Sequence, residues 1–203
     1  MYLKVGLFVM SFIFFIFTIM NSDSIYAQLT STNITGINSP TTITASNLTG
    51  NSLAERLQNP ITGSFGDDRL TGTANTDILI GFLGSDTIHG LDGDDAIQGN
   101  EDPDRLYGDN GHDILQGGMG SDQLYGGQGN DILAGGLDDD LLVGGEGNDK
   151  LYGAVGDDIL VGGPGADYFD CGDGVDVIMD FNLTQGDDRA GNCEEVIQVG
   201  TPS

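Results

Sequence analysis

The chain has no tryptophan, few aromatic residues (7%) and only 6 lysines and arginines against 32 acidic residues, in 203 positions. Each scarcity excludes something. With so few large rings, the core must be thin rather than broad. A net charge of -26 excludes attraction to nucleic acid phosphates or to an anionic membrane surface. The length fits one domain with extensions. There is no H-E-x-x-H zinc motif, no G-x-S-x-G elbow and no G-x-x-x-x-G-K-[ST] phosphate loop, so nothing supports an enzyme. No Glu closes a twelve-residue loop in EF-hand spacing.

What is abundant is Asp and Gly: 27 of the acids are Asp, 5 are Glu, and glycine fills 34 positions. An acidic helix would favour Glu, the better helix former, whereas Asp and Gly belong to turns. A disordered acidic tail or a generic solvated surface would scatter these residues without register.

The amino terminus stands apart. Lys4 precedes an apolar run from Val5 to Met20, and Ala27 is a small residue at a cleavage position. Residues 1–27 form a secretory signal peptide, with an uncleaved N-terminal anchor as the alternative. Cleavage removes Lys4 and Asp23 together, so the charge stays at -26. The chain is therefore expected outside the cell or on its surface. Residues 28–62 are a Ser/Thr/Asn-rich linker, in which Ser52 to Glu55 has capping-box spacing and Pro60 ends any short helix near 53–58. Such a helix could cover one end of the domain downstream of it. Asn33, Asn47 and Asn182 stand in glycosylation sequons.

From Gly63 to Asp170 the sequence divides into twelve nine-residue units without insertion. The first position is Gly in all twelve, and the fourth is Gly in nine. The eighth is always large and apolar, from Leu70 to Phe169. The sixth is always Asp: Asp68, Asp77, Asp86, Asp95, Asp104, Asp113, Asp122, Asp131, Asp140, Asp149, Asp158 and Asp167. A period this regular indicates stacked units. Six residues of each unit are turn-like, and the last three form a very short strand with the middle side chain inward. Two units make one flattened coil. Six coils at ~4.8 Å per strand give a roll about 29 Å long, with a ladder of Leu and Ile between two parallel sheets. So narrow a core leaves hydrophobic burial marginal.

Stacking brings the turn aspartates one above another, and bare carboxylates so placed repel. A cation between turns removes the conflict. The donors on offer, carboxylate and main-chain carbonyl, are hard oxygens that suit Ca²⁺. Mg²⁺ fits less well because it demands compact octahedral geometry. His89 and His112 occupy different places in the unit and give no zinc site.

Units such as Gly126 to Ala134 and Gly144 to Tyr152 resemble the RTX, or haemolysin-type, calcium-binding nonapeptide G-G-x-G-x-D-x-U-x. The resemblance implies an all-β, right-handed parallel β-roll, with Ca²⁺ held between turns by the sixth-position Asp and main-chain carbonyls. With six turns per edge, at most about ten ions fit within the twelve units. In the first six units the second position is Ser64, Thr73, Phe82, Leu91, Asn100 and Asp109, never Gly. The tighter sites are therefore expected from Asp113 to Asp167, and those near Asp77, Asp86 and Asp104 weak or empty.

Cys171 to Met179 is a thirteenth, degenerate unit, with Asp176 and Ile178 at positions six and eight. This takes the roll to 63–179 and leaves 180–203 as a C-terminal cap over the open strand edge. Cys171 and Cys193 are the only cysteines. In a secreted chain they are expected to form a disulfide worth ~3 kcal/mol, two free buried thiols being the alternative. Paired acids such as Asp94–Asp95 and Asp157–Asp158 could suggest glycoside chemistry, but their periodicity makes turns and calcium the simpler account.

The composite expectation is a secreted or surface-tethered calcium-binding module, structural or adhesive, that folds on metal binding. The alternative is an accessory that binds a partner enzyme or a surface polysaccharide. Stacking should make Tyr107 and Tyr125 neighbours. It should also group Leu141, Val143, Ile159 and Val161 into an apolar cluster that serves a homodimer or lies under the cap. Ice binding is disfavoured, because the third positions (Phe65, Ala74, Leu83, Asp92, Glu101) show no regular Thr or Asn array.

Overall fold

Strands begin where the apolar eighth position needs a partner, and every such residue finds one two units away. The computed structural model describes residues 60–193 and the backbone of 195–198. One sheet is built from β1 (Ile61–Thr62), β3 (Ile78–Leu83), β5 (Ala96–Glu101), β7 (Ile114–Met119), β9 (Ile132–Leu137), β11 (Lys150–Val155), β13 (Tyr168–Asp173) and β15 (Asp188–Arg189), in that order. The other holds β2 (Arg69–Thr71), β4 (Thr87–Asp92), β6 (Arg105–Asn110), β8 (Gln123–Gln128), β10 (Leu141–Glu146), β12 (Ile159–Val161), β14 (Val177–Phe181) and β16 (Glu195–Gln198). All pairing is parallel, and successive strands alternate between sheets, so two units make one coil. Among the described residues there is no helix. The signal segment, the linker to residue 59 with its short helix, and the sequons at Asn33 and Asn47 lie outside the described residues.

The register explains the core. Leu142 pairs with Leu124 and Leu160, and Leu151 with Leu133 and Phe169. From Leu79 to Ile178 every eighth-position side chain is fully buried between the sheets. No unit could bury this residue alone, and the stack removes it from water at ~25 cal/mol per Å² of apolar surface.

Two features exceed the expectation. Most strands run six residues rather than three, because pairing resumes after the first-position glycine at positions two and three: Gly145 pairs with Gly127, and Glu146 with Gln128. The solenoid also extends beyond 63–179. Ile61 pairs with Leu79 ahead of the first unit, and β15 and β16 add one strand to each sheet within the segment expected as a cap. There the spacing changes: Tyr168 pairs with Asp188, twenty residues on rather than eighteen. That insertion hid the last turn from a nine-residue register.

Cys171 and Cys193 form a disulfide, with Cα atoms 5.2 Å apart and both residues buried. It ties β13 to the chain just after β15. Cys171 occupies the first position, which is glycine in every regular unit.

Candidate metal centre

The turns carry the chemistry, and their geometry accounts for each letter of the repeat. At the second position the backbone takes positive φ, as at Gly127 (115°) and Gly145 (114°). Side chains resist that conformation. Four of the early departures adopt it regardless: Phe82 (88°), Leu91 (80°), Asn100 (95°) and Asp109 (71°). The first position has a different reason for glycine. A Cβ on Gly126 would stand 2.5 Å from the Gly144 carbonyl oxygen and closer still to Oδ2 of Asp131. The same pair, the unit's own Asp Oδ2 and the carbonyl of the next coil, meets the missing Cβ at Gly81, Gly99, Gly108, Gly117 and Gly144. Two oxygens thus converge where a side chain is absent.

The sixth-position carboxylates are the buried members of this arrangement. Asp77, Asp86, Asp95, Asp104, Asp113, Asp122, Asp131, Asp140, Asp149, Asp158, Asp167 and Asp176 are all buried. Asp68 is half-buried. One oxygen works structurally: Oδ1 of Asp131 accepts the Asp113 N–H at 2.8 Å, and Oδ1 of Asp122 accepts the Asp104 N–H at 2.8 Å. The pattern runs from Asp86 to Asp176 and joins each turn to the one two units before it. The other oxygen has no such task. Oδ2 of Asp86, Asp104, Asp113, Asp122, Asp131, Asp140, Asp149, Asp158 and Asp167 is buried without a hydrogen-bond partner. A buried acceptor with no partner costs about 1–3 kcal/mol, more when charged.

Burial therefore drives these acids towards the protonated form. Desolvation is the largest cause at every one, ahead of repulsion from neighbouring carboxylates, and a main-chain N–H opposes it. It raises Asp104 and Asp140 to about 8. Asp122 and Asp167 rise to about 7. Asp86, Asp113, Asp131, Asp149 and Asp158 rise to about 6. The repulsion expected between stacked turns is present, but loss of water outweighs it.

Among the described residues no three His, Cys, Asp or Glu side chains converge as a metal cluster. A cation here must take main-chain carbonyls along with carboxylates. The orphaned Oδ2 row and the converging glycine carbonyls are such donors, all hard oxygens, and they fit Ca²⁺. The histidines are engaged elsewhere. His112 Nδ1 accepts the Asn130 N–H at 2.7 Å, and His89 Nδ1 lies 3.0 Å from Asp109 Oδ2.

One residue of the ladder escaped the nine-residue pattern. Asp187 is buried, and its Oδ1 accepts the Asp167 N–H at 3.1 Å. It holds the sixth-position role of a fourteenth turn. The signal was Asp187-Asp188-Arg189, displaced by two residues from the repeat phase.

The outward face of the even-numbered strands carries the expected neighbours. Tyr107 and Tyr125 stack with ring centroids 5.0 Å apart, and His89 stacks on Tyr107 at 4.3 Å. Leu141 pairs with Ile159, and Val143 with Val161.

No curated protein shows a match to this chain. The family model of the RTX calcium-binding nonapeptide repeat matches residues 62–97, 89–124, 98–133, 134–169 and 143–178. Together these cover 62–178 without a gap, more than half of the 203 residues. With its parallel coils and buried aspartate ladder, the chain belongs to the RTX calcium-binding nonapeptide repeat family and is a calcium-binding repeat protein.

Proposed function

We propose that this chain is a secreted or surface-tethered structural or adhesive module whose roll closes when calcium enters between stacked turns. The observation that supports it best is the row of buried Oδ2 atoms without partners at Asp86 and from Asp104 to Asp167. Without a cation these carboxylates must either stay protonated or remain buried and charged, and both oppose folding at neutral pH. Bound calcium supplies the positive charge they lack. The protein contributes Oδ2 from one turn, carbonyl oxygens from the next coil, and an Oδ1 hydrogen bond that holds each carboxylate in place. Metal affinity and folding are then one equilibrium. Extracellular calcium modules work at about 10⁻⁴–10⁻³ M, which agrees with export through residues 1–27. The roll is a structural fold, and we assign it no catalytic role.

Affinity is graded along the ladder. Sites from Asp113 to Asp167 are the tighter ones, since their turns have glycine at most second positions, while Phe82 and Leu91 strain the earlier turns. A second reading, an accessory that binds a partner enzyme or a surface polysaccharide, draws on the outward row of His89, Tyr107 and Tyr125. The neighbouring Leu141, Val143, Ile159 and Val161 offer a homodimer face, and a concentration-independent monomer mass in calcium counts against that use.

The test is far-UV circular dichroism of residues 28–203 during a calcium titration, with magnesium as control. A cooperative gain of β signal in calcium alone is the expected result. A roll already formed in chelator would demote calcium to an accessory ion, and a chain unstructured in both would remove the reading.

A further inference from the structure

The ends of the aspartate ladder differ from its middle. At Asp86 and from Asp104 to Asp167 Oδ2 meets no donor. In the first two units it meets two. Asp68 Oδ2 accepts the Ser64 N–H at 2.6 Å and the Ser64 hydroxyl at 2.8 Å. Asp77 Oδ2 accepts the Thr73 N–H at 2.6 Å and the Thr73 hydroxyl at 2.7 Å. The backbone differs in the same place. From Phe82 to Gly172 the second-position residue has positive φ, whereas Ser64 and Thr73 do not. With ordinary φ, the second-position N–H faces the carboxylate, and a hydroxyl on the same residue reaches it too. At the far end Asp187 Oδ2 accepts one donor, the Asn182 N–H at 2.7 Å.

Two donors occupy both lone pairs of the Asp68 and Asp77 oxygens that a metal would use, and the Asn182 N–H occupies one on Asp187. We propose that the turns of Asp68, Asp77 and Asp187 are ion-free ends, in which Ser64, Thr73 and Asn182 donate to the carboxylate oxygen that calcium takes in the interior turns. This rests on the calcium reading above and sets the limits of the ladder. The first gap on each edge involves Asp68 or Asp77, so the ceiling within the twelve units falls from ten ions by two, to eight. It also gives the non-glycine residues at the start of the repeat a role. Serine and threonine there stand in for the ion of the interior turns.

The experiment counts bound calcium per full chain by equilibrium dialysis and elemental analysis, with circular dichroism in calcium as the folding control. The D68N/D77N double variant is expected to bind as many ions as wild type, with a calcium midpoint within about twofold, and D187N likewise. D113N/D131N is expected to lose ions. Loss of one or more ions in D68N/D77N overturns the proposal. Should that variant fail to fold in calcium, S64A/T73A keeps both carboxylates and both N–H donors. Its ion count is expected to match wild type, and a lower count overturns the proposal. A wild-type chain that binds no calcium removes the underlying reading before any variant is compared.

Discussion

Asp131 reaches back to Asp113: its Oδ1 accepts the Asp113 N–H at 2.8 Å, while its Oδ2, equally buried, has no hydrogen-bond partner. The two oxygens of one carboxylate therefore have separate tasks, one joining coils and one open to a cation. Asn at this position keeps an acceptor for the N–H and loses the charge. We expect D131N to raise the calcium midpoint about tenfold, or about 1.4 kcal/mol, and to make the metal-free chain easier to fold. Calcium titrations followed by circular dichroism check both, and an unchanged midpoint would exclude Asp131 as a ligand.

Acidity should help the metal-free roll. The folded-state pKa of the buried aspartates is raised, to about 6 for Asp131 and to about 8 for Asp104 and Asp140. The folded state thus binds protons more strongly than an unfolded chain with carboxylates near ~3.9. The stability due to these groups is fully present below that value and is lost as pH rises through about 6 to about 8. Calcium competes with the same protons. In calcium-free buffer the melting temperature should fall from pH 5 to pH 8, and the calcium midpoint should fall over the same range. Calorimetry in two buffers of different ionisation enthalpy should register proton release on binding.

The turn glycines should differ in their tolerance. A Cβ at Gly126 collides with Asp131 Oδ2 and the Gly144 carbonyl, neither of which can move without breaking the ladder. G126A is expected to cost upwards of ~2 kcal/mol. Leu91 is the opposite case, an exposed side chain held at φ 80°. L91G should stabilise the calcium-loaded roll by about 1 kcal/mol through relief of strain. Urea midpoints in saturating calcium separate the two, and a destabilised L91G would show that the leucine packs against something.

Reduction should loosen the carboxyl-terminal coil. The Cys171–Cys193 bridge closes a separation of 22 residues, for which chain entropy predicts about 3 kcal/mol. The expected sign is a lower melting temperature in reductant at fixed calcium. Hydrogen exchange in reductant should rise around Tyr168–Asp173, and spread of that loss to β3 and β5 would mean the bridge supports the whole roll.

Much of this protein follows from its sequence alone. Gly, Asp and an apolar residue repeat every nine positions. They dictate turn, carboxylate and inward side chain, and no single unit can bury its leucine without a neighbour. The parallel coils, the Leu and Ile ladder and the stacked Tyr107 and Tyr125 were legible, because a strict period makes spatial neighbours of residues eighteen apart, and the Cys171–Cys193 bridge was legible because the chain has only two cysteines. What the tertiary structure decided was the state of individual oxygens. Whether Oδ2 of an aspartate is open, as at Asp113, or held, as by Ser64 at Asp68, depends on the φ of a residue four positions earlier and on the coil stacked above. The aspartate motif is identical in both cases. Asp187 entered the ladder only through a two-residue insertion that three-dimensional stacking absorbs and a linear register does not. Periodicity determines which residues meet, whereas hydrogen-bond geometry across coils determines which of their atoms remain available to a metal.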